Sequence, residues 1–144
     1  MKQNKAELAV ACFNEGFNCA QAILSIYGAE LGLERKTALS LALGLGAGMG
    51  RLQETCGAVT GAYLVIGLRV CGLSGDSDEA KEQTYALVQE LERRFKAKNH
   101  STNCRELIGV DLITGDRQIV LERVKNFCPL MVRDAAEILE HLLP

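Results

Sequence analysis

The stretch ETCGAVTGAYLVIGLRVC, residues 54–71, decides the fold. From Thr55 to Leu68 it carries no charge, and its apolar residues do not alternate at the period of two that a half-buried strand requires. It reads as a helix that opens near Thr55 and closes around Cys71 and Gly72. Gly57 and Gly61 are poor helix formers, each about 1 kcal/mol worse than alanine in a helix interior. Lying four apart, they share one face of the helix and strip it of side chains, so a second backbone can approach closely. A core helix with one bare face, and a cysteine placed just ahead of it, points to a helical bundle with a thiol at a packing contact.

Working outward, apolar residues recur at helical spacing on both sides. Residues 5–15 form a first predicted helix, ended by Gly16. Asn18 caps a second from Cys19 to about Tyr27, stopped by Gly28. A third covers about Glu34 to Leu43, and the glycine-rich link GLGAGMG, Gly44 to Gly50, leads to the helix of the opening stretch. After the loop GLSGDS, Asp76 or Ser77 caps a long helix to about Lys98, with Leu87, Leu91 and Phe95 as its apolar stripe. A short helix from Cys104 to Ile108 follows, then a loop holding Asp111, Gly115 and Asp116. Helices from about Arg117 to Phe127 and from Pro129 to Leu143 complete the chain. The expected fold is all-α: one compact domain over residues 1–144, a bundle of about six or seven helices.

Composition narrows the function. A chain of 144 residues buries about 68–70% of its unfolded surface as one domain, so it needs no disulfide staple. With 16 basic against 18 acidic residues, it offers no electrostatic footprint for nucleic acid. Lys2 and Lys5 precede a short apolar patch, but Glu7 and Glu15 interrupt it and no cleavage pattern follows, so the expected location is cytoplasmic. The uncharged runs Thr37–Gly50 and Thr55–Leu68 would each span about 21 Å as helices. A bilayer core is roughly 30 Å thick, so both are expected to be core segments and no membrane span is predicted.

Six cysteines stand out in such a chain, because reducing compartments rarely keep structural disulfides. Asn18 precedes Cys19, Thr55 precedes Cys56 and Asn103 precedes Cys104; each pair sets a capping residue before a thiol at the first helical position, and Pro129 after Cys128 marks a fourth helix start. Free N–H groups at a helix start favour a thiolate, the reactive and metal-ligating form. Cys19, Cys56, Cys104 and Cys128 are therefore the candidate site residues, while Cys12, in mid-helix, and Cys71, at a helix end, are expected to be structural. There is no CxxC pair and no ferredoxin-type run, so any shared site is assembled from distant segments. GLGAGMG lacks a preceding strand and a GK[ST] sequence, which leaves close packing or a bend as its reading. His100 and His141 are expected to be solvated, and Glu54 and Asp111 are polar neighbours able to tune the thiols.

These residues also resemble a known family. CGAVTG at 56–61 matches the CGAxxG signature of the small proteins named C_GCAxxG_C_C for their cysteine pattern. FNCAQAIL places the first family cysteine at Cys19, NCRELIGVDL the third at Cys104, and FCPLMVRDAAEILEHLL the fourth at Cys128. The resemblance implies a redox role of undefined substrate, with an unidentified redox partner or oxidoreductase. Three readings follow for the four thiols. They carry out thiol–disulfide or electron-transfer chemistry, which needs cysteines in pairs; they bind zinc or an iron–sulfur cluster, which needs all four at one point; or they are incidental to a helical interaction protein. The first ranks highest, and oligomerisation with a second copy stays open.

Overall fold

The computed structural model describes residues 4–144; Lys2 lies outside them. Seven helices carry the described chain: α1 (Lys5–Asn14), α2 (Cys19–Ala29), α3 (Arg35–Ala42), α4 (Gly57–Ser74), α5 (Asp78–Asn99), α6 (Cys104–Ile108) and α7 (Arg117–Leu142). There is no strand among these residues, only an isolated antiparallel bridge between Thr55 and Asn103. The all-α bundle expected from the periodicity is the observed fold.

Several starts follow the capping logic atom by atom. The Asn4 side chain accepts from the N–H groups of Ala6 and Glu7. Asn18 closes a reciprocal capping box with Gln21: the Gln21 N–H donates to Asn18 Oδ1 at 2.9 Å, and the Asn18 N–H donates to Gln21 Oε1 at 3.0 Å. Ser77, rather than Asp76, caps α5 through the Ala80 N–H. Asn103 caps α6 through Glu106. Each bond satisfies a donor that the helix itself leaves free.

Four boundaries differ from expectation. α4 runs on to Ser74, past the close expected around Cys71 and Gly72, so half of GLSGDS is helical. Gly28 does not stop α2, which continues to Ala29; a Cβ on Gly28 would lie 3.1 Å from the Leu33 side chain, so the glycine serves packing. Cys56 is itself the N-cap of α4, so the helix starts one residue later than read, because Thr55 is held in the bridge to Asn103. The largest difference is at Pro129. No helix starts there; α7 runs unbroken through it from Arg117 to Leu142. Proline removes one i→i−4 hydrogen bond, here the one to the Lys125 carbonyl. The turns beyond it are held by Met131, Val132, Ala135, Ala136 and Leu139, all buried, and burial of that face outweighs the missing bond.

Helix α4 is the centre of the bundle. It packs most extensively on α2, and also on α5 and α7. By length and composition it would also cross a membrane, but Ala58, Val59, Ala62, Val65, Ile66 and Val70 are all spent on the core. Its bare face meets α2 as the glycine spacing predicts. A Cβ on Gly61 would lie 3.0 Å from the Ala20 carbonyl oxygen and 3.1 Å from its Cα; one on Gly57 would lie 3.2 Å from the Ala20 nitrogen and 3.3 Å from Cys19 Cβ. The two backbones nearly touch, which sets Cys19 against the start of α4.

The link GLGAGMG is the most strained part of the chain. After a 3-10 turn at Leu43–Leu45, residues Ala47 to Arg51 all have positive φ, between 59° and 68°. This is a turn of left-handed helix, which costs a non-glycine residue roughly 1–2 kcal/mol. Gly48 is indispensable in it: a Cβ there would lie 2.7 Å from Cys104 Cβ and 2.6 Å from Gln53 Cα. Close packing explains Gly46 and Gly48, and the left-handed backbone suits Gly50; Gly44 has open space around it.

The α2–α4 contact makes two substitutions behave oppositely in urea unfolding. Gly61→Leu overpacks the contact and lowers stability by at least about 1–3 kcal/mol. Gly67 lies in the same helix with open space around it, so Gly67→Ala raises stability by about 0.5–1 kcal/mol. Equal midpoints for the two variants would show that the bare face is not a packing surface.

Candidate functional site

Two short extended segments build one side of the site. Around the Thr55–Asn103 bridge, the Cys56 N–H donates to the Thr102 carbonyl and the Cys104 N–H to the Glu54 carbonyl, each at 2.7 Å. Each segment then turns directly into a helix, so α4 and α6 start side by side with Cys56 and Cys104 at their first turns. The left-handed turn lies behind them, where the Glu54 N–H donates to the Gly48 carbonyl at 2.9 Å. The glycine contact described above supplies Cys19 from α2. Cys128 arrives from the middle of α7.

All four cysteines line a single cavity of about 160 Å³. Its other walls are Phe13, Asn18, Ala47, Gly48, Gly57, Leu107, Ile108, Leu112, Val124 and Met131. The four residues are only 5–8% exposed. Cys12 and Cys71 stay apart from them. Cys12 is buried between α1 and α2, its sulfur 3.7 Å from the Ser25 hydroxyl; Cys71 is exposed near the end of α4. The four residues singled out by the sequence thus share one enclosure.

The expectation that helix starts would activate these thiols is corrected by their burial. At Cys56, desolvation dominates and pushes the thiol up to about 12, although the N–H groups of Ala58 and Val59 do favour the thiolate. At Cys104, burial and the negative charge that would develop on Cys128 push the thiol up to about 11, against a hydrogen bond from Gln53. A helix N-terminus supplies part of a charge; removal from water penalises a whole one, and it wins. Cys19 and Cys128 behave as a pair. Hydrogen bonding with Cys128 is the largest influence raising Cys19 well above the usual thiol range, with burial and Cys56 adding to the effect. The same bond holds Cys128 below that range despite its burial. The most easily ionised thiol of the four is therefore the one that does not sit at a helix start.

Gln53 is a site residue that sequence reading missed. It is buried, with φ of 56°; its amide donates to the Val110 carbonyl at 2.9 Å, and its Oε1 accepts from the Leu112 N–H at 2.8 Å. These bonds pin the loop after α6 over the cavity and leave an N–H for Cys104. Nothing local in RLQETC signals this role, since its partners lie almost sixty positions away. The polar candidates fall outside. Asp111 is ion-paired to Arg105 and caps its own loop through Ile113 and Thr114. The Glu54 side chain, His100 and His141 are exposed, and none lines the cavity.

Among the described residues, no three cysteine, histidine or carboxylate side chains converge closely enough to hold a metal ion. The four thiols surround a space rather than meet at a point. The family described as "Putative redox-active protein (C_GCAxxG_C_C)" matches residues 17–142. No curated protein and no solved structure matches the chain.

The raised thiols predict a pH dependence with a definite sign. A thiol whose folded pKa lies above its unfolded value near 9 binds more protons folded than unfolded once pH exceeds 9, so stability falls as pH rises. In reduced, anaerobic protein the urea midpoint is expected to decline from pH 9 to pH 11 through Cys56 and Cys104. The double variant Cys56→Ala, Cys104→Ala should show a shallower decline over that window. An unchanged slope would mean that both thiols ionise as freely as in the unfolded chain.

Proposed function

Because the chain belongs to the C_GCAxxG_C_C family, described as redox-active, we propose that it carries out two-electron thiol–disulfide chemistry with Cys128 as nucleophile and Cys19 as resolving thiol. The observation that carries this reading is that Cys19 of α2 and Cys128 of α7 line one cavity together with two further buried thiols. A thiolate is the attacking form in exchange, and Cys128 is the sulfur whose ionisation its partner assists. Attack by Cys128 on an oxidised partner gives a covalent intermediate. Cys19, which lines the same cavity, displaces it and closes a disulfide across the two helices.

Cys56 and Cys104 stay protonated beside this pair. They are a second pair of thiols able to exchange with the first disulfide, and so to carry the two electrons from the bridge side of the cavity to the α2–α7 side. The electrons are exchanged outside the chain with a separate redox partner. A cytoplasmic setting would keep the resting pair reduced.

The test is an equilibrium one. Protein held in graded ratios of oxidised to reduced dithiothreitol, then acid-quenched, alkylated and mapped by mass spectrometry, should pass through a two-electron transition that links Cys19 to Cys128. Cys128→Ser should abolish that link, and Cys71→Ser should leave it intact. A transition that instead joins Cys12 or Cys71, or four thiols that never form an intramolecular disulfide, would overturn the proposal.

A further inference from the structure

The size and lining of the cavity restrict what can reach the thiols. At about 160 Å³ it is close to an apolar cavity of about 150 Å³ that stays dry and accepts a molecule the size of benzene. No charged side chain lines it; Phe13, Leu107, Ile108, Leu112, Val124 and Met131 make most of the wall between the cysteines. Exchange with a disulfide needs the attacked sulfur in contact with the thiol. A tripeptide disulfide would have to bring its charged groups against this apolar lining. A charged oxidant would lose its hydration with no ion in the wall to offset the penalty.

Resting on the redox reading above, we propose that the oxidising substrate of this site is a small, uncharged organic hydroperoxide, reduced to its alcohol inside the cavity by Cys128 and Cys19. The Cys128 sulfur attacks the terminal peroxide oxygen. A sulfur–oxygen bond forms, the oxygen–oxygen bond breaks, and the departing alkoxide takes up a thiol proton and leaves as alcohol. Cys128 is left as a sulfenic acid. The Cys19 sulfur then attacks Cys128; the sulfur–sulfur bond forms, and the hydroxyl leaves with the second thiol proton as water. The dithiol loses two electrons and the peroxide gains them, and an external dithiol restores the pair. Both products are neutral, as an apolar enclosure favours. A small disulfide would instead release a thiol into the cavity, where it competes with Cys19 for Cys128.

The path inward is also visible. Ala47, Leu112 and Val124 line both the cavity and an outer groove of about 380 Å³. These three side chains form the partition that a substrate crosses, and Val124, on α7, can be enlarged without disturbing either the strained turn or the loop that Gln53 holds at Leu112.

Fully reduced protein would be mixed in parallel with tert-butyl hydroperoxide, dimethyl disulfide and glutathione disulfide, and the rate of Cys19–Cys128 bond formation followed by quenched alkylation. Tert-butyl hydroperoxide is expected to react at least about tenfold faster than either disulfide. Dimedone should label a sulfenic acid on Cys128 in the Cys19→Ser variant. Val124→Phe, which narrows the cavity, should slow tert-butyl hydroperoxide about tenfold more than it slows hydrogen peroxide. A faster reaction with either disulfide, no dimedone adduct, or equal slowing of both peroxides would overturn the substrate class. A chain that forms no Cys19–Cys128 bond even at equilibrium with dithiothreitol would instead remove the redox reading beneath it.

Discussion

The near-contact of two backbones, α2 at Cys19–Ala20 and α4 at Gly57–Gly61, is the constraint on which the rest of the structure depends. Neither glycine helps its own helix. Together they let α4 lie against α2 at a distance that any Cβ would increase, and Cys19 then stands over the start of α4 where Cys56 begins it. With α2 and α4 fixed, the segment before α4 is aimed at Asn103, and the bridge it forms carries Cys104 into place beside Cys56. Helix α7 closes the remaining side. This packing contact thereby decides the geometry of four thiols.

Inside that enclosure two effects compete for each sulfur, and their magnitudes decide the outcome. Helix starts offer hydrogen bonds and a fraction of a positive charge, while burial withdraws the hydration of a full negative one. Burial prevails at Cys56 and Cys104, which remain thiols across the ordinary pH range. At Cys128 neither a cap nor a cation is available. Its interaction with Cys19 lowers Cys128 and raises Cys19, so the two shift in opposite directions. Such a split is what pairwise thiol chemistry uses, since one sulfur must attack while the other waits.

The strained turn from Ala47 to Arg51 belongs to the same design. Left-handed backbone persists only where its surroundings over-determine it, and here the fixing contacts are Gln53, Glu54 and the Cys104 side chain. The turn forms one wall of the cavity and its partition from the outer groove. Strain at this point is offset by the bridge and by the hydrogen bonds of Gln53, so the wall is fixed by residues that also position a thiol.

Helical periodicity, the caps at Asn18 and Asn103, the bare glycine face and the identity of the four cysteines were all legible in the sequence, because each rests on neighbours within a few positions. FNCAQ carries a complete capping box, and CGAVTG carries both the thiol and the glycines that bring it into contact. Three things depended on the tertiary fold. Pro129 reads locally as a helix start, but the apolar face beyond it, packed on other helices, holds α7 straight through the missing hydrogen bond. Gln53 looks like an ordinary loop residue until residues 110 and 112 fold over it. The ionisation of the thiols follows from how deeply they are buried and which sulfur faces which, and both are properties of segments that meet only when the chain is folded. Local sequence determined which cysteines come to share a cavity; the desolvation and the pairing of Cys19 with Cys128 that shift their proton affinities arise from the assembled core.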